Sequence, residues 1–199
     1  LSGNTASDDG GGLSATPASQ GATTAVIITE GTRVISNKAA HGGGIHMSSM
    51  LEDYQGVGEQ VTIEIADDCV IAKNVAGLRG GGVYAEGYFG ASCVISDSVS
   101  INGNSAASSD EDTSTEGGGV YVKGSQVVAT SMNMTVEADV TLTMNSATKG
   151  GALFATQGAS VQLTDHVALE HNAGMFGGGL YVAFVAAVTA DGHTRVKFR

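Results

Sequence analysis

The stretch NVAGLRGGGVY, Asn74–Tyr84, sets three consecutive glycines between an asparagine and an apolar pair. Glycine raises the entropy cost of ordering a backbone, and a flexible linker needs neither the asparagine before it nor the valine and tyrosine after it. The arrangement recurs. Asn4, Asn37, Asn74, Asn104, Asn145 and Asn172 each lie three residues after an aliphatic residue: Leu1, Val34, Ile71, Ile101, Leu142 and Leu169. Ala6, Ala39, Ala76, Ala106 and Ala147 stand two residues beyond the asparagine, with Gly174 in the last copy. A glycine cluster follows each time: GGGL at 10–13, GGGI at 42–45, GGGV at 80–83 and 117–120, GGAL at 150–153 and GGGL at 177–180.

The pattern extends upstream. Val26, Ile63, Cys93, Met134 and Val161 stand eleven residues before their asparagine, and Ile28, Ile65, Ile95, Val136 and Leu163 nine before. Thr32, Cys69, Val99, Val140 and Val167 stand five before. Apolar residues at a spacing of two mark strands, and segments this short are no helices. Intervals between the asparagines run from 27 residues (Asn145 to Asn172) to 41 (Asn104 to Asn145), so insertions fall between the segments. Repeats of this length that stack on one another are the mark of a solenoid. The reading is all-β: a single-stranded, right-handed parallel β-helix of about six coils, each of three short strands, forming one domain over 1–199. At about 4.8 Å per coil the stack is about 30 Å long. The asparagines read as an inward amide ladder, and the glycines as a corner that permits positive φ and close approach of coil to coil. Leu1 and Phe198 are read in the same phase of the repeat, so the segment is expected to belong to a longer array.

Composition narrows the partners. The 199 residues include 30 Gly, one Pro and no Trp, with nine Lys plus Arg against twenty Asp plus Glu, a net charge of −11. Such a chain repels phosphate backbones and anionic lipid, which argues against nucleic acid. The longest apolar run, 180–190, is too short for a membrane-spanning helix of about 20 residues, so no membrane insertion is expected.

The paired motifs aliphatic-x-x-Asn and Gly-Gly-Ala/Gly-aliphatic resemble the polymorphic outer-membrane protein repeats, which carry Phe-x-x-Asn and Gly-Gly-Ala-Ile/Leu/Val. LTMN at 142–145 with GGAL at 150–153 is the nearest copy, and Leu, Ile or Val replaces Phe throughout. The resemblance implies a secreted or surface-exposed β-helix of adhesive or structural role. It supplies no catalytic residues.

Few residues suggest chemistry. Glu30, Asp67, Asp97, Asp139, Asp165 and Asp191 follow the first strand of successive repeats and are read as one edge column. Aspartate is a turn former in its own right; weak calcium binding is the alternative, and no other cofactor is expected. The acidic insertion 107–116 reads as a mobile loop. Cys69 and Cys93 occupy different inward columns and read as buried hydrophobes. His41, His46, His166, His171 and His193 share no repeat position, so no metal centre is expected of them. Asn133, in NMT at 133–135, is a glycosylation candidate pointing outward. Asp67 and Asp68 are adjacent rather than convergent, and His193, Arg195 and Lys197 lie too close in sequence to be spread over different coils, as a polysaccharide-cleaving site requires. The function expected is therefore a non-catalytic structural or adhesive module, extracellular or at the cell surface. Its partners would be further repeats or other chains at the coil ends, and surface glycans. The alternatives are a subunit of an extracellular filament, and a polysaccharide lyase or glycoside hydrolase.

Overall fold

The computed structural model describes residues 1–17, 22–49, 60–88, 90–110, 112–125, 132–184 and 186–197. Phe198 and, within the acidic insertion, Glu111 lie outside the described residues. The described residues form 23 strands in four parallel sheets, three of six strands and one of five. They contain no helix, and hence none long and apolar enough to cross a membrane. In every sheet each strand pairs with its counterpart one coil away, which is the topology of a parallel β-helix.

The coil around Asn74 shows how sequence makes a turn of the helix. Gln60–Ile65 alternates, with Val61, Ile63 and Ile65 buried and the intervening residues exposed. Val70–Ala72 puts Ile71 inward, and Val83–Glu86 follows the glycines. These are the three segments marked by period two. A fourth strand, Val75–Arg79, fills the space between asparagine and glycines. Its copies are Lys38–His41, Ser105–Ala106, Ser146–Lys149 and Ala173–Phe176, all rich in small residues with little apolar alternation.

Register confirms the inward columns. Val26, Ile63, Cys93, Met134 and Val161 align, and Val188 extends them. Val34, Ile71, Ile101, Leu142 and Leu169 align too, and the next residue of that column is Val196. Val196, not Phe198, therefore holds the phase of Leu1. Ile63, Ile71, Ile101 and Leu142 are fully buried, each contributing about 1.5–3 kcal/mol.

The three glycines have different reasons to be glycine. Gly80 turns the corner in the left-handed region, φ +63°, as the first glycine of each cluster does. Gly81 lies against the next coil, where an added Cβ would come within 2.4 Å of the Gly118 oxygen and 2.5 Å of the Ser105 oxygen. At Gly82 the same atom would meet the Gly119 oxygen at 2.6 Å, yet Ala152 occupies this third position two repeats further on, so it yields more readily.

The asparagines form a continuous ladder. Oδ1 of Asn104 accepts from the amide and Nδ2 of Asn74 at 3.0 and 2.9 Å. Its Nδ2 donates to Asn145 Oδ1 at 3.0 Å and to the Ile71 carbonyl at 2.9 Å. The acceptor Ile71 is the aliphatic residue of the neighbouring coil's aliphatic-x-x-Asn motif. Asn37, Asn74 and Asn145 repeat the pattern, Asn4 donates into it, and Asn172 closes it on the Leu142 carbonyl. The residue before each asparagine, from Gly3 and Ser36 to Met144 and His171, has φ between 53° and 67°, which aims the amide inward. Asn37, Asn74, Asn104 and Asn145 are wholly buried and every polar atom of the amide is satisfied, as burial demands.

Candidate functional site

Strands about 4.8 Å apart bring equivalent side chains into contact distance. On the outer face of the sheet fed by the glycines, Ser14, His46, Tyr84, Tyr121, Phe154 and Tyr181 fall in one register column. Their rings stack. The centroids of His46 and Tyr84 are 4.9 Å apart, Tyr84 and Tyr121 5.0 Å, Tyr121 and Phe154 5.4 Å, and Phe154 and Tyr181 5.3 Å. Tyr84, Tyr121 and Phe154 form a second hydrophobic cluster, separate from the interior. Offset stacking adds about 0.5–1.5 kcal/mol per pair beyond burial.

Charged residues flank this stack. On one side Asp9, His41, Arg79, Glu116 and Lys149 follow one another from coil to coil. Glu116 joins Arg79 at 3.0 Å and Lys149 at 3.5 Å, and the Arg79 guanidinium lies 5.7 Å from the Tyr121 ring centre. On the other side buried Glu86 accepts from Lys123 and from the Tyr84 hydroxyl. Burial, and then the Glu86 charge, push the Tyr84 phenol well above its ordinary range.

At the His46 end a cleft of about 350 Å³ opens, lined by Asp8, Asp9, His41, His46, Tyr84 and Glu86 among others. Asp9 Oδ1 is 3.2 Å from His41 Nδ1 and 3.6 Å from His46 Nε2. Ser14 Oγ lies 3.3 Å from the other nitrogen of His46. Burial lowers the His46 pKa from its ordinary value against the opposing pull of Asp9. Ser14, His46 and Asp9 thus stand in the order of a nucleophile, base and orienting acid. The amides of Gly12 and Leu13, beside Ser14, are both spent on the Gly44 carbonyl, so neither is a free oxyanion donor. What remains is a concave, carboxylate-rich pocket with two imidazoles, suited to binding a cation.

The sequence reading missed this pocket and treated the histidines as unrelated. His41 and His46 share one carboxylate, and His166 and His193 occupy equivalent positions with ring centres 5.0 Å apart. A bulge between Ala39 and His41 offsets the count from the asparagine, hiding the equivalence of His41 with Arg79. The aromatic stack had a plain signal: the residue after each Gly-Gly-Gly/Ala-aliphatic run is aromatic from Tyr84 onward.

The acidic edge column is corrected by the register. Ile28, Ile65, Ile95, Val136, Leu163 and Ala190 align, so Glu30, Asp67, Asp97 and Asp165 share a position that Ala138 interrupts. Asp139 falls one residue later and Asp191 one earlier. Asp67, Asp97, Asp139 and Asp165 have φ between 53° and 63°, a region aspartate tolerates better than most residues. Asp191 is held down to about 2 by the Asp165 amide, with further donors at His193 and Thr194. Among the described residues the one group of three closely grouped candidate ligands is Asp8, Asp9 and His41, not these turns.

Other residues take separate places. Asn133 is exposed between Ser92 and Ser160, with Met134 buried behind it. Cys69 and Cys93 are free and buried, Cys93 within the strand Ala91–Ile95 and Cys69 at the turn just before Val70–Ala72, and burial pushes the Cys93 thiol up to about 12. Arg195 faces Glu170 at 3.7 Å while His193 lies by Asp191, so they do not converge. Within the insertion 107–116, Thr115 and Glu116 belong to the wall: Glu116 bridges Arg79 and Lys149, and Thr115 Oγ1 bonds Thr148 Oγ1 at 3.1 Å. A groove of about 590 Å³ beside this insertion is lined mainly by Ser, Thr, Ala and Gly.

Comparison with protein-family models, with curated proteins and with solved structures finds no match to this chain.

Proposed function

We propose that the chain is a non-catalytic, rod-like module of a secreted or cell-surface protein, serving as structural spacer or adhesive arm. The observation that carries this reading is the unbroken amide ladder from Asn4 to Asn172, which joins every coil to the next in the same way. A stack bonded alike at each step resists bending and holds a fixed length, and its turns and outer faces are free to vary. The likeness of its two motifs to the polymorphic outer-membrane protein repeats supports the same reading, as does an acidic surface compatible with solubility at high concentration.

Two measurements on the whole chain test it. Small-angle X-ray scattering over a concentration series gives a constant elongated shape, and incubation with acidic and neutral polysaccharides, with and without calcium, leaves them uncut. Shortened glycan products would replace the module with the polysaccharide-cleaving alternative. Fibres growing with concentration would replace it with the filament.

A further inference from the structure

We propose that Asp9, His41 and His46, with Asp8 beside them, bind a divalent transition-metal ion of the zinc class that clips one coil to the next. Asp8 and Asp9 belong to the first coil, and His41 and His46 to the second. Zinc bonds of about 2.0–2.1 Å at the tetrahedral angle leave neighbouring ligand atoms about 3.3–3.4 Å apart. Asp9 Oδ1 is 3.2 Å from His41 Nδ1 and 3.6 Å from His46 Nε2, each near that span; Asp8, Asp9 and His41 hold one ligand atom each within 4.8 Å of one another, and His46 joins this group through Asp9. The second of these distances is too long for a hydrogen bond.

Two further observations point to a cation here. His46 is only 4% exposed, and its ring is fixed between the Tyr84 face and the Ser14 hydroxyl, so Nε2 has one direction to face, toward Asp9. When Nδ1 donates to Ser14, the Nε2 lone pair opposes a carboxylate oxygen, an arrangement that a metal ion between them turns from repulsive to bonding. The charge balance agrees. Glu86 is answered by Lys123 and Glu116 by Arg79 and Lys149, whereas among the described residues the charge partners of Asp9 are the two histidines alone. Two imidazole nitrogens with carboxylate oxygens suit zinc and its neighbours, while calcium takes six to eight oxygens.

The test is calorimetric titration of the metal-stripped whole chain with zinc chloride, with cobalt(II) absorption as a geometric probe and circular dichroism to verify the fold of each variant. One equivalent of zinc binds, cobalt gives the intense visible bands of a four-coordinate site, and zinc raises the melting temperature. His41→Gln, at a partly exposed position, weakens zinc binding by about 100-fold and removes the zinc-dependent rise in melting. Ser14→Ala, which frees the outer nitrogen of His46, weakens it by about tenfold. Asp67→Asn and Asp97→Asn leave binding unchanged. Absence of saturable zinc binding overturns the proposal. So does binding that survives both His41→Gln and Asp9→Asn, or that falls equally with the acidic-turn variants.

Discussion

Two ladders run along this rod, one of asparagines in a turn and one of aromatic rings on a wall, and they obey different rules. The asparagine ladder admits no substitute from Asn4 to Asn172, because each amide must both accept from one neighbour and donate to the next. The aromatic ladder mixes Tyr, Phe and His and gives out at Ser14, because stacking needs only a flat face at the right spacing. A directional, buried interaction fixes residue identity at every coil. A non-directional one fixes only shape.

The sharpest way to break that contrast is at the centre of the amide ladder. Asn104→Asp removes both Nδ2 donors and sets a buried carboxylate against the oxygens of Asn145 and Ile71. The expected loss is about 3–5 kcal/mol in urea unfolding, against less than about 1 kcal/mol for Asn4→Asp at the exposed end. Equal losses at the two sites would mean that burial does not set the value of the ladder. On the aromatic side Tyr121→Ala costs about 3 kcal/mol by leaving a gap between Tyr84 and Phe154. Tyr121→Phe costs less than about 0.5 kcal/mol, since Phe154 already fills an equivalent place. A Phe variant as damaging as the Ala variant would make the hydroxyl, not the ring, the element that matters.

The glycine corner gives a smaller contrast. Gly81→Ala drives a Cβ into two backbone oxygens and costs about 2 kcal/mol, with Gly82→Ala milder because Ala152 holds that position two coils away. Matched thermal melts of the two variants check the order. The smallest effect belongs to the acidic insertion. Deleting 108–114 leaves five residues between Asn104 and Gly117, the number that separates Asn74 from Gly80. Stability then shifts by less than about 1 kcal/mol, while extending the deletion through Glu116 also removes the partner of Arg79 and Lys149 and lowers the melting temperature further.

The repeat, its inward columns and the asparagine ladder were legible because they obey fixed offsets from one residue type, and the core enforces those offsets in every coil. Local counting could even have separated Asp139 from Asp67, since Asp139 is one residue nearer its asparagine. The fourth strand was not legible: Val75–Arg79 and its copies are held by hydrogen bonds to neighbouring coils rather than by an apolar alternation of their own. Nor was the cleft. Asp9, His41 and His46 meet only because parallel pairing lays one coil on the next, and the offset between these two coils changes by one residue from the Thr5–Lys38 pair to the Asp9–His41 pair. The amino-acid sequence by itself determined the coil, through side chains that must face inward. The tertiary structure decided what meets on the outside, where neighbours come from different coils and the sequence distance between them varies with every insertion.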